Sequence, residues 1–204
     1  DVAGIRIVET SGSTTVTEGG ATDNYLLYLT LQPDPTANFV QVQITPQAGL
    51  SVDRSSVLWT KTECGLNWSN FASISKSVLV TAINDNVAGG TRTRTIFHNI
   101  SVADTDDVGY QGVNAPLSVQ INDNDVVGIS VSQTTGFTVT EAGSTAQSFV
   151  RLLSQPANDV AINLSVGGVD SDEVTVSPAT LTFTNANWSQ TQAITMTGAN
   201  DFVK

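Results

Sequence analysis

The sequence is poor in the residues that most often carry chemistry. Its 204 residues include one cysteine, Cys64, and one histidine, His98. A single thiol forms no internal disulfide, which sets aside the small disulfide-stapled secreted folds. One His and one Cys build a zinc site only with several carboxylates beside them. Nothing around His98 supplies the nucleophile and carboxylate of a hydrolase triad. No glycine-rich phosphate loop follows a strand pattern. No apolar run nears the roughly 20 residues of a membrane-spanning helix, so direct membrane insertion is not expected. Basic residues are scarce: 8 Lys and Arg face 19 Asp and Glu, a net charge of -11. Such a surface repels nucleic acid and anionic lipid, and neither is expected as a partner. The chain opens at Asp1 with no initiator Met and no signal peptide, which reads as a segment of a longer protein.

What is present favours strands. Hydrophobic residues make up 40% of the chain and are mostly Val, Ile and Leu, set among many Ser and Thr. The patterns are short and alternate with period two. Phe39-Val40-Gln41-Val42-Gln43-Ile44 is the clearest case. Val78, Val80 and Ala82 form a second apolar face, and Ile96, Ile100 and Val102 a third. His98 falls on the same face as Ile96 and Ile100, as a structural histidine would. Turn residues cluster between these runs, as in Pro33-Asp34-Pro35 and Ala88-Gly89-Gly90. About seven strands in roughly 120 residues is the count of an immunoglobulin-like antiparallel β-sandwich.

The chain also repeats itself at an offset of roughly 120 residues. Thr15-Val16-Thr17-Glu18-Gly19 returns as Thr138-Val139-Thr140-Glu141-Ala142. Gln32-Pro33 returns as Gln155-Pro156, Asn67-Trp68-Ser69 as Asn187-Trp188-Ser189, and Asn84-Asp85 as Asn200-Asp201. Two tandem sandwiches are therefore expected, 1–124 and 125–204, the second incomplete at its C-terminal end. The recurring Trp68 and Trp188 read as core anchors rather than ligand platforms. Between Thr60 and Trp68 the first copy is longer than the second, which suggests a surface loop carrying Cys64.

The most chemically dense stretch is Ile121-Asn122-Asp123-Asn124-Asp125, at the joint of the copies. Carboxylates and amides supply the oxygen ligands that a hard cation such as Ca²⁺ wants. Several carboxylates gathered at one pole of a sandwich would repel one another without a cation. Asp104, Asp106 and Asp107 form another acidic turn that could add ligands. The competing reading is that Asn and Asp sit at turns to bond the local backbone. Both readings stand at this point. The acidic turns lie in short loops without room for a substrate cleft, so no enzyme is expected.

With these anchors in view, the chain resembles the Calx-β family. The residues that carry the resemblance are Val16-Thr17-Glu18-Gly19, Leu181-Thr182-Phe183-Thr184 with Asn187-Trp188, Asn84-Asp85-Asn86, and Asp123-Asn124-Asp125. The resemblance implies tandem sandwich modules with Ca²⁺ at the module ends. It implies as metal ligands Glu18, Asp85, Asp123 and Asp125 in the first copy, and Glu141 and Asp201 in the second. The chain departs from the exchanger members in having Val87-Ala88-Gly89 where acidic residues follow there, and fewer charges weaken binding. The function implied is a non-enzymatic structural or adhesive repeat segment of a large extracellular, cell-surface protein. Its implied partners are neighbouring repeats of the same chain and a cell-surface or matrix ligand. A calcium-sensing regulatory module and an accessory module of a secreted enzyme are the alternatives.

Overall fold

Period-two alternation becomes strand where one face is buried. In β4 (Phe39–Pro46), Val40, Val42 and Ile44 are buried, and the residues between them are not. The computed structural model describes residues 2–168 and 171–200. Among these there is no α-helix, and helical structure is confined to short 3-10 turns at Phe71–Ser73, Val102–Asp104 and Val108–Tyr110. The chain divides into two units, Asp1–Asp85 with Gly89–Asn124, and Asn86–Ala88 with Asp125–Lys204.

The first unit is an immunoglobulin-like sandwich. Besides β4 it contains β1 (Ile5–Glu9), β2 (Thr14–Thr17), β3 (Asp23–Leu29), β5 (Leu50–Val52) and β6 (Ser56–Thr60). It continues with β7 (Lys76–Ala82), β8 (Arg92–Asn99) and β9 (Asn114–Asn122). One sheet runs β1-β3-β7-β5 and the other β2-β9-β8-β4-β6. The opening stretch thus serves both sheets, with β1 in one and β2 in the other. The pairing of β2 with β9 is parallel, Thr14 opposite Val119 and Thr17 opposite Asn122. Tyr25, Leu27, Val78 and Val80 from the first sheet meet Val16, Trp59, Ile96 and Ile121 from the second in one core.

His98 is fully buried in that core. Its Nδ1 bonds the Ala115 carbonyl at 2.8 Å, and its Nε2 faces the Tyr25 hydroxyl at 2.7 Å. A carbonyl only accepts, so Nδ1 carries the proton and Nε2 accepts from Tyr25. Burial disfavours the charged ring and lowers its pKa. The same desolvation raises the Tyr25 phenol.

Two expectations are corrected here. Cys64 is not on an exposed loop but completely buried. Its segment folds inward because Trp68 takes a left-handed φ of 57° and sinks into the core. The Trp68 Nε1 donates to the Ala37 carbonyl at 3.2 Å, and the Trp68 amide to the Gly65 carbonyl at 2.7 Å. Val102 does not extend the apolar face of Ile96 and Ile100 but is 71% exposed. The Asp104 carboxylate accepts from both the amide and the hydroxyl of Ser101, which turns the chain after β8.

The second unit repeats the first in part. Its strands are β10 (Ile129–Val131), β11 (Thr145–Leu152), β12 (Val160–Asn163), β13 (Val174–Ser177), β14 (Thr180–Phe183) and β15 (Gln192–Gly198). The order β10-β11-β15-β13 reproduces β1-β3-β7-β5, and the pair β12-β14 reproduces β4-β6. Its core gathers Val150, Leu152, Leu181 and Phe183, with Trp188 packed against them. One expected match fails: residues 138–140 form no strand. In the first copy that segment is β2, held by β9. Among the described residues of the second unit no strand takes the place of β9. Val139 is accordingly half-buried, where Val16 is fully buried.

The neutral, buried His98 makes stability depend on pH. Unfolded, its ring titrates near pH 6.5, at about the model-peptide value. Folded, it titrates lower, so the unfolded state binds more protons below that point. Its contribution should be intact above about pH 6.5 and be lost on acidification toward the depressed folded value. Melting curves between pH 7.5 and 5.5 should show this slope in the wild type, and a His98→Gln variant should lack it.

Candidate functional site

Alternation along β2 points Glu18 inward. Thr14 and Val16 are buried, and Glu18, two residues on, is 1% exposed. The Glu18 amide donates to the Asn122 carbonyl at 3.0 Å, continuing the β2–β9 ladder by one residue. Alternation along β8 does the same for Arg92, on the face of Ile96 and His98 and opposite Ile121 across the ladder. Two charged side chains thus face each other at one end of an apolar core.

They form an ion pair. Arg92 Nη2 donates to Glu18 Oε1, with the Glu18 side chain fully shielded and that of Arg92 20% exposed. The same nitrogen reaches Asp85 Oδ2 at 3.4 Å. The loop after β7 brings Asp85 there, and its amide approaches Glu18 Oε2 at 3.4 Å. Carboxylate oxygens of Glu18 and Asp85 lie within 4.8 Å of each other. Both are therefore part of one cluster. Arg92 is the member that spacing arguments passed over, although its inward position on β8 was legible.

Asp123 takes a different role. Its Oδ2 accepts from the amides of Gly89 and, at 2.7 Å, Gly90, so it ties the β9 exit to the loop before β8. Nearby, Asn124 Nδ2 donates to Asn84 Oδ1 at 2.9 Å. Both amides close over Gly19, which has a φ of 59°. A Cβ there would lie 2.7 Å from Asn84 Oδ1 and 3.1 Å from Asn124 Nδ2. The Glu-Gly step in this copy is thus steric as well as conformational. Asp125 follows directly, half-buried, where the chain leaves the first unit.

The second copy does not rebuild this pole among its described residues. Glu141 is exposed, and Ala142 stands where Gly19 does. Asp201 lies outside the described residues. Glu141 instead borders a cleft of about 510 Å³ with Glu173, Val174 and Gly198. The strand registers place Glu173 where the first copy has Gly49, since Val174 opposes Gly198 as Leu50 opposes Ala82. Gly198 is obligatory here, for a Cβ would lie 2.1 Å from the Thr140 carbonyl oxygen.

The acidic turn 104–107 adds nothing to the cluster. It follows the end of β8, whereas Arg92 starts that strand. Each carboxylate there holds the chain in place. Asp104 accepts from Ser101 and from Gln43 Nε2 at 2.6 Å. Asp106 accepts from the Asn38 amide and side chain at 2.9 and 2.8 Å. Asp107 accepts from the amides of Asp34 and Gly109, each at 2.7 Å. The Ser101 and Gln43 hydrogen bonds hold the Asp104 carboxyl below its ordinary pKa. The turn reading of Asn and Asp is therefore correct at this end.

No family model and no curated protein matches the chain. Among solved structures it is similar to the calcium binding domain CBD12 of CALX1.1, at 17% identity and a TM-score of 0.37 over 96% of this chain and 76% of that one. It is similar to CBD12 from CALX1.2 at 13% identity and 0.34, over 93% and 73%. It is also similar to the E. coli chaperone DraB, at 9% identity and 0.39, over 100% and 90%.

Asp107→Ala should leave the amides of Asp34 and Gly109 without their acceptor. A loss of about 1–3 kcal/mol is expected from urea denaturation, the same in EGTA and in millimolar Ca²⁺. A calcium-dependent difference would place this turn in a metal site.

Proposed function

We propose that the chain is a non-enzymatic structural repeat segment of Calx-β type. In this reading it belongs to a large extracellular surface protein and is rigidified by Ca²⁺ at module ends. The observation that carries the proposal is the buried Glu18, turned inward at the end of β2 with Asp85 beside it. The donor set suits a hard cation, being carboxylate oxygens of Glu18 and Asp85. The lodged Arg92 guanidinium shows that this place takes positive charge. Glu18, Asp85 and Asp123 would hold the metal in the first copy, with Asp125 as the next carboxylate along the chain. Glu141 and Asp201 would be the second-copy counterparts in this reading.

Bound Ca²⁺ would neutralise these carboxylates and cross-link the β2, β7 and β9 ends. The chain's own part is to present oxygens from short strand-end loops. Its partners in this reading are neighbouring repeats of the same chain and a cell-surface or matrix ligand.

A ligand that binds only the folded state stabilises it by about 2.7 kcal/mol at a hundredfold excess over Kd. The chain should melt at a higher temperature in millimolar Ca²⁺ than in EGTA, with little response to Mg²⁺. Asp85→Asn should shrink that rise while changing the metal-free melt little, since Asp85 is largely exposed. No rise with Ca²⁺ would overturn the reading and leave a plain sandwich spacer.

A further inference from the structure

We propose that Arg92 is a tethered counter-ion that occupies the cation position between Glu18 and Asp85, so that a divalent metal binds only when the guanidinium leaves. The metal half of this inference rests on the calcium reading above. The occupancy half rests on geometry. Arg92 Nη2 is in contact with Glu18 Oε1 and within 3.4 Å of Asp85 Oδ2. Glu18 has no exposed side-chain surface of its own, and Arg92 lies on the side from which Asp85 approaches. A Ca²⁺ ion sits about 2.3–2.6 Å from each ligand oxygen. Arg92 Nη2 engages one oxygen of each carboxylate, so an ion bridging Glu18 and Asp85 would sit beside the guanidinium, and two cations that close repel strongly in a shielded site.

The seat of the guanidinium is built into the fold. Gly49, with a φ of 94°, borders it: a Cβ there would come within 3.8 Å of Arg92 Nη2 and 4.0 Å of Nε. The second copy has Glu173 at the corresponding place. An exit is also present. The Arg92 side chain is 20% exposed and that of Asp85 47%, so the fold does not seal the guanidinium in. One charge of the carboxylate pair is thus balanced without metal, and calcium would act by exchange with the guanidinium.

The test is calcium titration calorimetry on the whole chain, wild type against Arg92→Gln, with metal-free melting curves of both. Removing the competitor should tighten calcium binding by about tenfold or more, within the usual range of coupling between two ligands. The metal-free variant should melt lower, because Glu18 loses its partner in a buried place. Calcium binding to the variant alone supports the proposal equally. If the wild type binds calcium and the variant binds no more tightly, the proposal is overturned and the calcium reading stands. If neither binds, both fall. Should the variant not fold, the wild type decides: the side-chain Nε–H resonance of Arg92 should shift strongly on calcium saturation, and an unmoved resonance overturns the proposal.

Discussion

The parallel pairing of β2 with β9 is the constraint on which the rest of the first unit depends. An inward Val16 requires a ladder that fixes which face of the segment looks at the core. The same ladder carries the chain one residue further and delivers Glu18 into a shielded place beside the β9 exit. The second copy has nearly the same residues at 138–142 but no such ladder among its described residues. There the strand is absent, Val139 is half-buried and Glu141 is exposed. One pairing separates a buried glutamate from an exposed one, with the local sequence almost unchanged.

Charge is handled differently at the two ends of the first unit. At the end holding Asp104 and Asp107, the carboxylates accept backbone and side-chain hydrogen bonds and need no cation. At the other end Glu18 faces a shielded place, where hydrogen bonds from neutral groups would not balance a full charge. The fold supplies a guanidinium from the first residue of β8. The acidic balance of the chain therefore hides two unlike populations, turn-holding aspartates and a paired glutamate. Composition alone does not tell them apart.

The sandwich was readable because alternation is a local signal. Val40, Val42 and Ile44 sit inward as the pattern of residues 39–44 demands, and the internal repeat reappears as a repeated sheet order. The convergence of Glu18 and Asp85 was expected from the family resemblance, and the inward turn of Glu18 and Arg92 is implicit in the same alternation. Other features depend on contacts far apart in sequence. Cys64 is buried because Trp68 adopts a backbone conformation rare for a bulky residue. The tie from Asp123 to Gly89 and Gly90 depends on where another loop passes. The failure of 138–140 to form a strand depends on a partner strand, which no reading of those residues alone would show.

The parallel register also has a mechanical meaning. β2 lies near the start of the first unit and β9 at its end, side by side and pointing the same way. Tension applied to the two ends of the unit pulls these strands in opposite directions along their common axis. The ladder from Thr14 to Thr17 is then loaded in shear, so its hydrogen bonds share the force and must fail together rather than unzip one by one. Forced unfolding is governed by the height of that barrier rather than by equilibrium stability. The ion pair of Glu18 with Arg92 sits at one end of this clamp and ties it to β8.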